Sequence, residues 1–168
     1  MGGGTVVGGE AWIGLDLGTS GVKAVALGTD AEVLAHAAAG YPTDRPGPQA
    51  SEQDPADWTR ACTEVLARLR DSVPARAWRG IGLSAMIPTL VPLDQRLAPL
   101  GPAITWEDAR AQCHGRRLRA ALGGEWLYER TGQWLDGRYL LAMYARLAAE
   151  APVLAARTHH IAGAKDLL

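Results

Sequence analysis

The stretch Trp12-Ile13-Gly14-Leu15-Asp16-Leu17-Gly18-Thr19-Ser20-Gly21-Val22-Lys23 constrains the fold more than any other part of this chain. Residues 12–17 are mostly apolar and β-compatible and read as a buried strand. Gly18, Thr19, Ser20 and Gly21 are turn residues: the glycines tolerate positive φ and the hydroxyls hydrogen-bond locally. Residues 22–27 return as a second strand. The pattern predicts a hairpin with a carboxylate, Asp16, at the end of its first strand. A turn rich in N–H and O–H donors can cradle phosphate oxygens. A carboxylate beside it can hold Mg²⁺ directly or through water, and Lys23 adds a positive charge. A plain hairpin with a polar turn meets the same pattern. A dinucleotide-binding turn fits less well, because a strand and not a helix follows the glycines.

Beyond the hairpin, a turn at Gly28-Thr29-Asp30 leads to a third strand over 32–38, giving an antiparallel meander. Residues 40–53 form a Pro-rich surface loop. Asp54 is placed to cap a helix and Pro55 suits its first turn. Trp58, Ala61, Cys62, Val65, Leu66 and Leu69 then follow the spacing of one helical face. Residues 79–84 read as a buried strand, completing a β-α-β pattern and an α/β class. Apolar runs follow at 89–93 and 103–106. Helices are expected over 107–122, 125–130 and 138–150, the last burying Leu140, Leu141, Tyr144, Leu147 and Ala148. Gly123-Gly124 and Thr131-Gly132 separate them. A strand over 158–162 and a further element from Gly163 close the pattern.

A length of 168 residues suits one domain or one lobe, and 48% hydrophobic content is enough for a core. A net charge of −1 gives no reason to expect a nucleic acid or a membrane surface as partner. Cys62 and Cys113 are far apart, both in helical segments, and are expected to be buried thiols, neither a disulfide nor a metal pair. No apolar run is long enough to span a bilayer. Residues 1–10 have no signal-peptide pattern and read as a flexible lead-in, which makes the cytoplasm the expected location.

Three stretches coincide in order and spacing. They are Gly14 to Lys23, then Glu52-Gln53-Asp54-Pro55 with Trp58, then Gly82-Leu83-Ser84 leading to Ile104-Thr105-Trp106-Glu107-Asp108-Ala109-Arg110. Together they resemble the N-terminal lobe of the FGGY carbohydrate kinases, the family of xylulokinase, gluconokinase and glycerol kinase. Thr131-Gly132 and Ala164-Lys165-Asp166-Leu167 look like late landmarks of the same lobe. The resemblance runs over 11–168.

The resemblance implies an actin-like, ribonuclease H-like α/β lobe, one of two flanking a cleft. Its mixed sheet starts with a three-stranded antiparallel meander followed by βα units. It also implies ATP-dependent phosphorylation of a sugar or polyol hydroxyl, with ATP and Mg²⁺ as cofactors. Asp16 is then the metal-site carboxylate, and Gly18, Thr19, Ser20 and Lys23 lie near the nucleotide phosphates. The small-molecule carbohydrate is expected against Met86, Ile87, Pro88 and Thr89, with Trp106 as an apolar platform and Asp108, Arg110 and Arg138 as hydrogen-bonding groups. Xylulokinase-like members carry Gly-Gln-Met-His where this chain reads Ala85-Met86-Ile87-Pro88. A side-chain hydrogen bond is therefore lost there, and Thr89 is the nearest hydroxyl. The stretch 104–110 looks closer to gluconokinase.

In the resembling family, the aspartate that takes the hydroxyl proton and the adenosine-binding lobe lie beyond the point corresponding to residue 168. The chain is thus expected to lack its catalytic base, to be inactive alone and to need a C-terminal lobe as partner. A surface left bare by that lobe is an expected route to self-association into a homo-oligomer. Two other readings stay open: a non-catalytic sugar- or phosphate-binding module, and another actin-like ATPase, against which the 52–55 and 106–108 stretches argue.

Overall fold

The computed structural model describes residues 9–168, so the expectation for residues 1–8 lies outside the described residues. In chain order the elements are β1 (Ala11–Leu17), β2 (Gly21–Gly28), β3 (Val33–Gly40), β4 (Glu52–Gln53), α1 (Pro55–Ser72), β5 (Trp78–Ala85), β6 (Val91–Leu93), β7 (Ala103–Ile104), α2 (Gln112–Leu122), α3 (Gly124–Thr131), α4 (Leu140–Glu150), α5 (Pro152–Arg157), β8 (His160–Ala162) and α6 (Ala164–Leu167). The described residues fall into two units, one of residues 9–42 and 56–86, the other of residues 43–55 and 87–168.

In the first unit, strict alternation along β1 buries Ala11, Ile13, Leu15 and Leu17 and leaves Trp12 and Asp16 exposed, as a strand with one face on the core requires. β2 pairs antiparallel to β1, and β3 antiparallel to β2. After α1, β5 returns parallel to β1. The result is the expected meander plus a β-α-β crossover, in a four-stranded mixed sheet of order β3-β2-β1-β5. α1 starts at Pro55 as predicted and buries Trp58, Ala61, Cys62, Val65 and Leu69, while Leu66 is half-buried. Trp58 is fully buried; truncating such a side chain costs about 3–5 kcal/mol.

The second unit carries the corrections. β6 and β7 do not extend the main sheet: β7 pairs with β4 and β6 with β8, each antiparallel. The loop expected over 40–53 therefore contains a strand, β4, and an antiparallel bridge between Asp44 and Glu52. The helix expected from residue 107 starts at Gln112, because Asp108 turns the chain first. Its N–H donates to the Thr105 carbonyl at 3.0 Å and its carboxylate accepts from the Arg110 N–H at 3.0 Å. α4 buries Ala142, Met143, Arg146 and Leu147, whereas Leu140, Leu141 and Ala148 are exposed and Tyr144 is half-buried. The apolar face is thus rotated from the expected one. α5, with Pro152 in its first turn, was not anticipated. Cys113 sits exposed on α2, since Gly115 is the helix position that is buried, and Cys62 is buried as expected. The core of this unit is Leu90, Ile104, Ala111, Leu135, Ala142, Met143 and Leu147. No helix of the described residues is long and apolar enough to cross a membrane.

Candidate functional site

In the first unit the turn between β1 and β2 is closed by the Gly18 N–H donating to the Gly21 carbonyl at 3.0 Å. Its glycines are not there for positive φ: among the described glycines only Gly123 and Gly132 have it. Gly21 is needed for close approach instead. A Cβ at that position would lie 2.6 Å from the Ala39 carbonyl oxygen, so β3 can run beside β2 there only without a side chain. Tyr41 ties the turn down further. Its hydroxyl donates to the Gly18 carbonyl and its N–H to the Ser20 carbonyl at 3.3 Å. Burial, with Cys62 and the Asp16 carboxylate adding to it, pushes the Tyr41 phenol up from its ordinary value, so the hydroxyl remains a donor further into the alkaline range.

Asp16 is exposed and stands opposite Lys23 on β2 and Ser84 on β5. The two-residue period of the strands puts these three side chains on one face, side by side across three strands, next to the turn. Among the described residues neither Asp16 nor Lys23 is in an ion pair. A trough of about 550 Å³ runs along this face, lined by Gly14, Asp16, Lys23, Val25 and His36. Gly14, without a side chain, and the small Ala24, Ala37 and Ala38 line it. No group of three or more His, Cys, Asp or Glu able to hold a metal occurs among the described residues. One exposed carboxylate beside a turn of N–H and O–H donors is nonetheless a donor set that Mg²⁺ uses, since that ion keeps most of its shell as water and phosphate oxygen. Asp16 fits it.

In the second unit a cleft of about 680 Å³ is lined by Ile87, Pro88, Thr89, Gln133, Tyr139 and Lys165, with Leu127, Leu135, Leu140 and Leu141 as apolar wall. Three of the sequence-predicted acceptor residues are therefore together. Met86 belongs to the first unit, where it is buried and its N–H donates to the Leu17 carbonyl at 2.8 Å. Gln133, Tyr139 and Lys165 were not anticipated as lining. Gln133 directly follows the Thr131-Gly132 landmark and Lys165 lies in the Ala164-Lys165-Asp166-Leu167 one, but nothing in their spacing separates them from solvated positions. Asp166 also lines the cleft; its Oδ2 accepts from the Gly163 N–H at 2.9 Å.

Asp108, Arg110, Arg138 and Trp106 do not line this cleft. Asp108 is 1% exposed. It accepts from the Ser51 N–H at 3.0 Å and from the Arg110 guanidinium at 2.6 Å, and Arg110 reaches on to Glu52 at 2.5 Å. Burial works to raise the Asp108 carboxyl, but the Arg110 guanidinium and the Ser51 and Arg110 N–H groups outweigh it and hold it below the usual carboxylate range. Arg138 is exposed and paired with Asp136 at 2.9 Å. Trp106 is 36% exposed. The family resemblance singled out Asp108 and Arg110 together but carried no signal that Ser51 and Glu52 would satisfy them.

Residues 11–168 match the model of the FGGY family of carbohydrate kinases, N-terminal domain. The chain is 27% identical to a gluconokinase of Bacillus subtilis over 93% of its own length and 30% of the relative's. It is 39% identical to a xylulose kinase of Klebsiella pneumoniae over 59% of its length and 20% of the relative's. The fold superposes on the crystal structure of xylulose kinase from Rhodospirillum rubrum with a TM-score of 0.89 at 29% identity, over 94% of this chain and 33% of that one. The chain thus spans about a third or less of the length of the proteins it matches.

Proposed function

The chain belongs to the FGGY family of carbohydrate kinases, whose N-terminal domain it matches over residues 11–168, and from that premise we propose that it is the phosphate- and acceptor-binding lobe of an ATP-dependent sugar or polyol kinase. The observation that carries this reading is the polar row Ser84–Asp16–Lys23 across three strands beside the Gly18–Gly21 turn. Phosphoryl transfer asks the protein mainly to position groups and to stabilise charge. The turn N–H groups other than that of Gly18, which closes the turn, and the Thr19 and Ser20 hydroxyls hold phosphate oxygens. Asp16 holds a hydrated Mg²⁺, which when bound neutralises phosphate charge. Lys23 adds a cation on the same face. Tyr41 keeps the turn in one shape, so that little ordering is left to be done on binding.

The carbohydrate is assigned to the cleft at Ile87, Pro88 and Thr89. Its apolar wall receives the C–H face of a sugar, and Thr131, Gln133, Tyr139 and Lys165 offer partners for hydroxyls. Asp166 is the carboxylate lining that cleft, but its Oδ2 is held by the Gly163 N–H. We read it as a positioning group and not as the base that takes the acceptor proton, so turnover by this chain alone is not expected. Trp106 and Arg138 remain assigned to the acceptor as groups exposed to solvent, with Asp108 and Arg110 shaping the backbone between them.

Isothermal titration with ATP, in Mg²⁺ and in chelator, tests the first half. Binding that needs Mg²⁺ and is lost in Asp16→Asn supports the reading. ATP binding unchanged by both removal of Mg²⁺ and Asp16→Asn overturns it. A thermal-shift panel of ketoses, aldonates and polyols, compared between the parent and Lys165→Met, tests the second half.

A further inference from the structure

Asp136 and Arg138 lie in the second unit, on the segment between α3 and α4, and that segment has no slack against α2. Gly137 and Gly115 of α2 are both buried, and neither has a positive φ, so what they supply is space. A Cβ on Gly137 would lie 2.5 Å from the Gln112 Cα, and one on Gly115 would lie 2.5 Å from the Asp136 carbonyl carbon. The turn at 136–138 is thus seated backbone to backbone on the first turn of α2. Within it the Asp136 Oδ1 accepts from the Arg138 N–H at 2.7 Å, and Oδ2 accepts from the Arg138 Nε at 3.2 Å and Nη2 at 2.9 Å. Burial works to raise the Asp136 carboxyl, but these bonds to Arg138, with the charges of Arg138 and Arg119, outweigh it and hold it below the usual carboxylate range. The Arg138 side chain is 54% exposed, and an exposed ion pair adds only about 0.2–1 kcal/mol to stability. Stability is a small part of what this pair does.

Its larger effect is on what Arg138 can bind. A guanidinium takes a carboxylate through two parallel N–H bonds, and on Arg138 the edge formed by Nε and Nη2 is already given to Asp136. The donors that remain suit a hydroxyl oxygen. The same matching recurs in this unit. Arg110 is committed to Asp108 at 2.6 Å and to Glu52 at 2.5 Å. Lys165 lines the cleft with Asp166 beside it in the same lining. A carboxylate-bearing acceptor would meet cations already matched by carboxylates and would face like charge, which is how a site rejects a ligand. An uncharged sugar needs only hydrogen-bonding partners. We propose that the acceptor of this lobe is an uncharged ketose or polyol and not an aldonate, and that Asp136 sets this preference by matching the charge of Arg138. The inference rests on the assignment of Arg138 and of the cleft at Ile87, Pro88 and Thr89 to the acceptor.

Isothermal titration of the 168-residue chain with D-xylulose, xylitol and D-gluconate is the test, with thermal melts to show that each variant is folded. The parent is expected to bind xylulose or xylitol more tightly than gluconate. Asp136→Asn keeps an acceptor for the Arg138 N–H, frees the guanidinium and narrows that preference about three- to fivefold, as much as an exposed ion pair is worth. Arg138→Gln leaves the Asp136 carboxylate unmatched and widens it. A purely structural role would move both variants the same way, or change the affinity for all three ligands together. The double variant Asp136→Asn/Arg138→Gln returns to the preference of the parent, and with Arg138→Gln it carries the test if Asp136→Asn alone does not fold. A parent that prefers gluconate, or a preference that the two single variants leave unmoved or move in the same direction, overturns the proposal and leaves the acceptor cleft standing. Absence of binding for all three ligands overturns the cleft assignment itself, and the proposal with it.

Discussion

The Tyr41 hydroxyl donates to the Gly18 carbonyl, so the residue that follows β3 holds the turn that joins β1 to β2. The contact links structure to the proposed function, because the turn it holds is the segment proposed to bind phosphate. Tyr41→Phe leaves a part-buried carbonyl without its partner. It should cost about 1–2 kcal/mol in urea unfolding and weaken Mg-ATP binding more than it lowers stability elsewhere in the sheet. The pH dependence has a definite sign. The native phenol is raised above its unfolded value, so the native state holds its proton longer. The stability this confers is complete below about pH 10 and falls as pH rises beyond that. Tyr41→Phe should flatten that alkaline decline, and a variant that retains the full slope would contradict the assignment.

Gly21 is predicted to be intolerant for a reason unrelated to its dihedral angles. An added methyl would lie 2.6 Å from the Ala39 carbonyl oxygen and 3.1 Å from the Gly40 Cα, both backbone atoms. Gly21→Ala should therefore force β3 away from β2 and destabilise by about 1–3 kcal/mol. Gly47→Ala, which meets nothing within 4 Å, should shift the denaturation midpoint little. Equal effects at the two sites would mean that the strands do not approach as described.

How much of this could be read from residue order depends on whether the pattern was local. β1, β2, β3, α1 and β5 were legible from local signals, apolar β-compatible runs bounded by turn residues for the strands and the helical spacing from Trp58 to Leu69 for α1, although β5, expected to be buried, has no buried residue. The second unit was less legible because its decisive contacts are between distant residues. Asp108 ends a turn instead of opening a helix only because Ser51 lies beside it, 57 positions away in sequence. The α4 face was misphased because Arg146 occupies a buried position that an apolar-only count passes over. At the turn between β1 and β2 the hairpin was legible, but the role of Gly21 was misassigned: close approach of two strands leaves no mark in a single segment. The cleft proposed for the acceptor is lined by Ile87–Thr89, which the family resemblance singled out, and by Gln133, Tyr139 and Lys165, which have no periodicity of their own.

Arg146 gives a prediction of the opposite sign to most substitutions. It is 7% exposed, its guanidinium reaches Glu150 at 2.7 Å, and its buried Nε has no hydrogen-bond partner among the described residues. Desolvating a cation is costly, and one ion pair with an exposed carboxylate recovers only part of that cost. Arg146→Met keeps the length of the side chain and removes the charge. It should raise stability by about 1–2 kcal/mol, within the range seen when buried ion pairs are replaced by apolar groups. A loss of stability in thermal melts would show that the guanidinium is fully satisfied in solution.

Asp108 separates a structural role from a substrate role. Its carboxylate is buried and committed to Ser51 and Arg110, so Asp108→Ala strands a half-buried guanidinium and a buried N–H. The expected cost is about 3–5 kcal/mol. The sign with pH follows from the lowered native value. The contribution is present above the unfolded carboxyl range, about pH 4, and is lost as pH falls through the lower native value. Acid unfolding of Asp108→Asn should therefore lack that component of the slope. If Asp108 acts only by contacting the sugar, the same variants melt as the parent does and lose only carbohydrate affinity. A variant that loses stability while retaining sugar affinity assigns the group to holding the 49–52 and 105–110 segments together, and assigns recognition of the acceptor to the cleft at Ile87, Pro88 and Thr89.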